Sequence, residues 1–199
     1  MLIRPSPCSA GFSLIEVLIT LAIFGMLMAM AAPNFSSTVQ DAQVRSTGQS
    51  ILTGLQLARA EAIHRNVLVQ VQFTNQLAGA PTAGGTDWQI KADKQSNPPA
   101  SDFTVDIQDR SGAEGAHSVR IGAKAALDFS TPAAHGNLMP LAIVFNGLGR
   151  VAANTPAQID IVSMAGAAGR RLSITISPGG QVRLCDPALQ IATDPRGCA

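Results

Sequence analysis

Apolar and polar residues follow one another along this chain in three successive patterns. From Phe12 to Ala32 the run FSLIEVLITLAIFGMLMAMAA is apolar all round, with Glu16 its single charge and Ser13 and Thr20 its hydroxyl residues. As a helix rising 1.5 Å per residue it spans ~31 Å, the thickness of a bilayer's hydrocarbon core. Further on, Ile51, Leu55, Ala58 and Ala62 recur at three and four, with Leu52 and Ile63 alongside. That is the stripe of a helix lying on a core. Gly48 and Gly54 weaken this helix slightly. From Val67 the period becomes two: the second half of Val67-Leu68-Val69-Gln70-Val71-Gln72-Phe73 alternates as a strand buried on one face does.

The first two patterns predict one long helix from about Ser13 to about His64. It is bent at Pro33, whose ring removes a backbone donor and crowds the preceding turn. Asn66 supplies the stop signal. Further strands are predicted at Trp88–Ala92, Phe103–Gln108, Ser118–Ile121, Leu141–Asn146, Gln158–Val162, Arg171–Ser177 and Gln181–Leu184. Asn146-Gly147 and Pro178-Gly179-Gly180 read as turns, the second joining the last two strands as a hairpin. Ala78–Thr86 and Lys94–Ser101 read as loose loops. Strands following one helix give an α+β fold, with an antiparallel sheet packed on the outer half of the helix. There is no internal repeat.

The flank of the apolar run sets its orientation. Upstream lies MLIRPSPCSAG, with Arg4 its only charge, so the residues after Pro33 are expected on the periplasmic or exterior side. A secretory signal would be cut near Met30-Ala31-Ala32. The run is too long for that, and it carries Glu16. A carboxylate costs about 3 kcal/mol at a bilayer centre on insertion scales. A buried acid there calls for a partner.

Gly11-Phe12-Ser13-Leu14-Ile15-Glu16-Val17 resembles the processing signal of type IV prepilins and type II secretion pseudopilins. The resemblance implies that a prepilin peptidase cuts between Gly11 and Phe12 and methylates the new N-terminal Phe12. Glu16 then becomes the fifth residue of the mature chain. It implies further that the Glu16 carboxylate neutralises a neighbouring subunit's terminal amine as helices stack, which fixes register. Leu57-Ala58-Arg59-Ala60-Glu61-Ala62-Ile63-His64-Arg65-Asn66 resembles the corresponding segment of the FimT/FimU/GspH group, minor pilins and minor pseudopilins. On this basis residues 1–11 are a leader, 12–33 the transmembrane and assembly helix, and 34–66 its amphipathic second half. Residues 67–199 are a periplasmic β-rich domain. The expected partners are the prepilin peptidase, other pilins or pseudopilins, and the inner membrane, which the chain crosses once before entering a pilus or pseudopilus.

Composition adds little to this picture. The net charge is +1, with charged residues at 14% and 18 Gly and 12 Pro. Three cysteines, Cys8, Cys185 and Cys198, become an even pair once the leader is removed. A Cys185–Cys198 crosslink closing a loop of that size is worth about 3 kcal/mol by the loop-entropy model and needs an oxidising compartment. His64, His117 and His135 lack ligand spacing, and no nucleophile motif or phosphate loop is present. No cofactor, metal or enzymatic activity is expected. Arg150, Arg170, Arg171, Arg183 and Arg196 fall in a mildly basic final third. Gly180-Gln181-Val182-Arg183 resembles a DNA-capture segment of FimT-type minor pilins, with Gln181 in place of its first Arg. The arginines therefore have two readings. One is salt-sensitive phosphate contact with DNA; the other is a solvated strand edge that discourages aggregation.

Overall fold

In the computed structural model of the protein, the described residues are 11–74, 77, 85–94, 102–112, 118–136, 142–152, 155–164 and 169–198, without the side chains of 30–35. Among the described residues one helix and eight strands form. The helix α1 runs Leu14–Arg65 and is unbroken in secondary structure through Pro33. The strands are β1 (Val69–Thr74), β2 (Asp87–Asp93), β3 (Phe103–Arg110), β4 (Val119–Lys124), β5 (Ala142–Phe145), β6 (Gln158–Ser163), β7 (Arg171–Ile176) and β8 (Val182–Cys185). Each falls on a segment whose alternation predicts a strand. His117, Leu141 and most of the two loose loops lie outside the described residues.

The chain divides into two compact units, Met1–Thr38 and Val39–Ala199. In the second unit the strands form two four-stranded antiparallel sheets, ordered β3-β2-β1-β5 and β4-β6-β7-β8. The expected sheet is therefore split in two. The pairing registers define the split. β1 sits between β2 and β5, with Val69 opposite both Ala92 and Phe145. β6 sits between β4 and β7, with Ile161 opposite both Ile121 and Leu172.

Both sheets share one core with the helix. Val44, Ile51, Leu55, Ala58 and Ala62 are fully buried along one stripe of α1, and they join Phe73, Trp88 and Ile90 of the first sheet and Ile159, Ile161 and Ile174 of the second. The two helix glycines sit where the packing is closest. A Cβ at Gly48 would lie 3.2 Å from the Leu184 side chain, and one at Gly54 would lie 3.3 Å from the Trp88 ring. What reads in the sequence as a helix weakness is the means by which both sheets approach the helix. The helix ends at Asn66, whose φ of 53° gives a left-handed stop.

Beside the last turns of the helix, the 146–150 and 177–180 turns meet. Arg59 Nε donates to the Gly149 carbonyl at 3.1 Å. Gly180 has φ 78°, and a Cβ there would fall 1.8 Å from the Gly149 oxygen. Gly180→Ala should therefore destabilise the protein by more than about 1 kcal/mol. Gly179→Ala, with only the Ser177 hydroxyl at 3.8 Å, should leave the unfolding midpoint nearly unchanged. Thermal denaturation of the two variants side by side measures the difference.

Candidate functional site

The N-terminal segment has the simplest geometry. The Ser13 carbonyl accepts the amides of Glu16 at 3.0 Å and Val17 at 3.2 Å, so Ser13 is the residue that opens the helix. Glu16 lies in the first turn. Ser13-Leu14-Ile15-Glu16 therefore has the spacing of a capping box, a signal legible in the sequence and missed there. The unpaired amides of a helix N-terminus carry partial positive charge, and a carboxylate at this point gains about 0.3–1 kcal/mol. That offsets part of the cost that the sequence assigns to an acid in so apolar a run.

Every described side chain from Gly11 to Ala29 is exposed, Phe12 at 82%. The Thr20 hydroxyl donates to the Val17 carbonyl at 2.9 Å, so its donor is satisfied within the helix. Among the described residues no helix is long and apolar enough to cross a membrane. The described part of the run, Leu14–Ala29, gives about 24 Å of helix; Met30-Ala31-Ala32, which complete it in the sequence, have side chains outside the described set.

The family model described as type II transport protein GspH matches residues 47–180, and the prokaryotic N-terminal methylation motif matches residues 7–32. The chain belongs to the GspH family. It is thus a pilin-like subunit of the minor pilin or pseudopilin kind, a structural family rather than an enzymatic one. The type IV minor pilin FimU of Pseudomonas aeruginosa shares the fold at 15% identity, over 74% of this chain and 92% of that one, with a TM-score of 0.51. The minor pseudopilin EpsH from the Type 2 Secretion System of Vibrio cholerae aligns at 14% identity over 74% and 99% of the two chains, with a TM-score of 0.46. No curated protein sequence matches.

The GspH-family domain disperses the arginines of its final third. Arg170 and Arg171 open β7, whereas Arg150 belongs to the turn that meets Gly180 beyond the other end of β7. Arg183 stands opposite Thr175, four residues along the strand from Arg171, or about 13 Å. Most of these side chains also have internal acceptors. Arg170 Nη2 faces Asp186 at 3.4 Å. Arg183 Nη2 donates to the carbonyls of Pro195 at 2.7 Å and Gly197 at 2.8 Å. Arg196 pairs with Asp194 at 2.7 Å. Arg150 is exposed. No single basic stripe is assembled from them.

Arg171 belongs to a network that the sequence pattern does not announce. Asp160 is fully buried, and its carboxylate accepts from Arg171 Nη2 at 3.1 Å, Ser173 Oγ at 2.5 Å, Gln158 Nε2 at 2.9 Å and the Ala133 amide at 2.8 Å. Arg171 donates onward to the carbonyls of Phe129 and Thr131, both at 2.9 Å. The 125–136 segment is thereby fastened over the second sheet. At its edge Lys124 and then Ser130 hydrogen-bond the Asp128 carboxyl and hold it well below the usual carboxylate range. His64 and His135 are exposed, and the described residues contain no group of metal-ligating side chains.

Cys185 and Cys198 are bonded, with S–S 2.09 Å and Cα–Cα 5.0 Å. Within the loop they close, the Arg196 side chain and then its amide hold the Asp194 carboxyl down to about 2, from an ordinary 3.8.

Two expected outcomes follow from these contacts. Asp160→Ala leaves a largely buried guanidinium without its counter-charge and should destabilise the domain by about 3 kcal/mol, read by denaturant unfolding. Asp194 is a carboxyl whose folded value is depressed. Its stabilising contribution is complete above 3.8 and lost as pH falls through about 2. Carboxyl NMR should place its midpoint near 2, and Arg196→Ala should return it toward 3.8.

Proposed function

We propose that this GspH-family chain is a minor pilin, a structural subunit that helps to initiate or build a type IV pilus. The observation that carries the reading is the N-terminus: an apolar helix, exposed all round, that starts at Ser13 with a carboxylate in its first turn, just after Gly11. Such a surface in water needs cover, and lipid or neighbouring apolar helices supply it. Prepilin peptidase cuts after Gly11 and methylates Phe12. The segment first anchors the subunit in the inner membrane with its domain in the periplasm. It then packs among the helices of other pilins in the filament. Helix dipole and amine act on Glu16 together. The dipole lowers its burial penalty, and a neighbouring subunit's Phe12 amine neutralises it and sets the axial register. Pro33 is where the helix loosens to fit that packing. No cofactor takes part.

The second reading is a minor pseudopilin of type II secretion. It shares all of this N-terminal physics, and the description of the matching family as a type II transport protein favours it. Deleting the gene discriminates between them. Loss of surface pili with intact protein secretion supports the pilus subunit; the reverse phenotype assigns the chain to secretion.

Two substitutions test the N-terminal chemistry. Gly11→Ala should leave an uncleaved, membrane-held precursor on an immunoblot. Glu16→Ala should be cleaved normally yet enter sheared filaments at a small fraction of the wild-type level. Normal incorporation of Glu16→Ala would overturn the charge-pairing role.

A further inference from the structure

The segment from Asp186 to Gly197 occupies a particular place. β8 is the last strand of its sheet, paired on one side with β7. Where β8 ends, the chain turns back and lies against itself. Asp186 and Gly197 form a parallel bridge, and the Asp186 amide donates to the Arg196 carbonyl at 2.7 Å. Arg183, in the middle of β8, reaches across with one nitrogen to the carbonyls of Pro195 and Gly197. The loop is tight inside: a Cβ on Gly197 would fall 2.5 Å from the backbone of Gln190 and Ile191. The same loop forms one wall of a cleft of about 720 Å³, through Asp186, Pro187, Leu189 and Arg196, opposite Asp41 of α1 and Arg170. The Cys185–Cys198 bond closes the loop at its base.

These contacts have a shared dependence. The acceptors for Arg183 are two backbone carbonyls of a loop with no regular secondary structure, and the backbone bridge joins residues next to the two cysteines. With the ends linked, those groups are held within reach of one another. With the ends free, each contact must order the loop on its own. We propose that residues 186–198 are a redox-locked guard. While the disulfide is intact, the loop covers the end of β8, occupies Arg183 and completes the cleft; reduction releases it as one unit. The reaction balances with a dithiol as reductant: two electrons and two protons pass to Cys185 and Cys198, and the dithiol becomes a disulfide. The released state has an open β8 end, a free Arg183 guanidinium and no cleft wall.

Hydrogen exchange with mass spectrometry on the full chain in detergent micelles tests this, with and without dithiothreitol. On reduction the amides of Asp186 and of the non-proline residues in 189–198 should exchange at least ~10-fold faster, while β6 and the centre of β7 keep their protection. Unchanged protection of the loop in the reduced chain would overturn the proposal, because Arg183 and the bridge would then suffice to hold it. Loss of protection throughout β4, β6 and β7 would also overturn it, since the disulfide would be a global staple rather than a local lock. Arg183→Gln in the oxidised chain supplies an independent measurement. Its loop amides should exchange faster than wild type yet slower than in the reduced protein; exchange identical to wild type would remove Arg183 from the device.

Discussion

One helix in this protein has to satisfy two environments, and the architecture follows from how its residues divide between them. Leu14–Ala29 exposes apolar side chains on every face, so that stretch has no solvent-tolerant side and needs lipid or other helices around it. From Val44 to Ala62 one stripe is buried by the sheets while residues such as Arg45 and Gln49 face outward. The first stretch is built for partners outside the chain and the second for partners inside it. Glu16 marks the start of the first, at the helix N-terminus, where the backbone itself tolerates a negative charge.

The domain that the second stretch organises has two sheets and hence four edges, and unpaired edges invite association. At three of them a loop hydrogen-bonds the edge strand or the residue that follows it. Beside β4, the Gly136 amide donates to Ile121; beside β5, the Ala152 amide donates to Val144; at β8, the Asp186 amide donates to Arg196. The fourth edge, β3, is mostly exposed and carries Asp106 and Asp109, together with two register shifts against β2. Charge and irregular register discourage a flat partner strand. The loops are therefore part of how this domain keeps its sheet edges from pairing with other chains.

Covering a sheet with a loop brings polar groups into the interior, and the Asp160 network is how they are satisfied. Arg171, Gln158, Ser173 and the Ala133 amide meet one carboxylate, and the carbonyls of Phe129 and Thr131 take the remaining guanidinium donors. Removing one member of such a cluster leaves the others buried without their partner, so the contacts tie the loop to this position. They also explain why Arg171, which looks like a surface cation in the sequence, has its donors turned inward.

Residue pattern along the chain is enough to place the elements: the long helix, its stop at Asn66, eight strands in order, the Gly180 turn and the apolar run with its acid near the start. These were legible because each rests on local properties, whether hydrophobic period, a left-handed residue or the length of an apolar stretch. Tertiary structure alone decided how the strands divide into two sheets, because alternation fixes which residues share a face but not which strand lies next to which. It decided too that the polar face of Gln158-Ile159-Asp160-Ile161 is buried, since the covering residues come from the 125–136 loop and from β7. Gly48 and Gly54 changed meaning for the same reason. A glycine's value in a helix depends on what comes close to it, and Leu184 and Trp88 arrive from other elements of the fold.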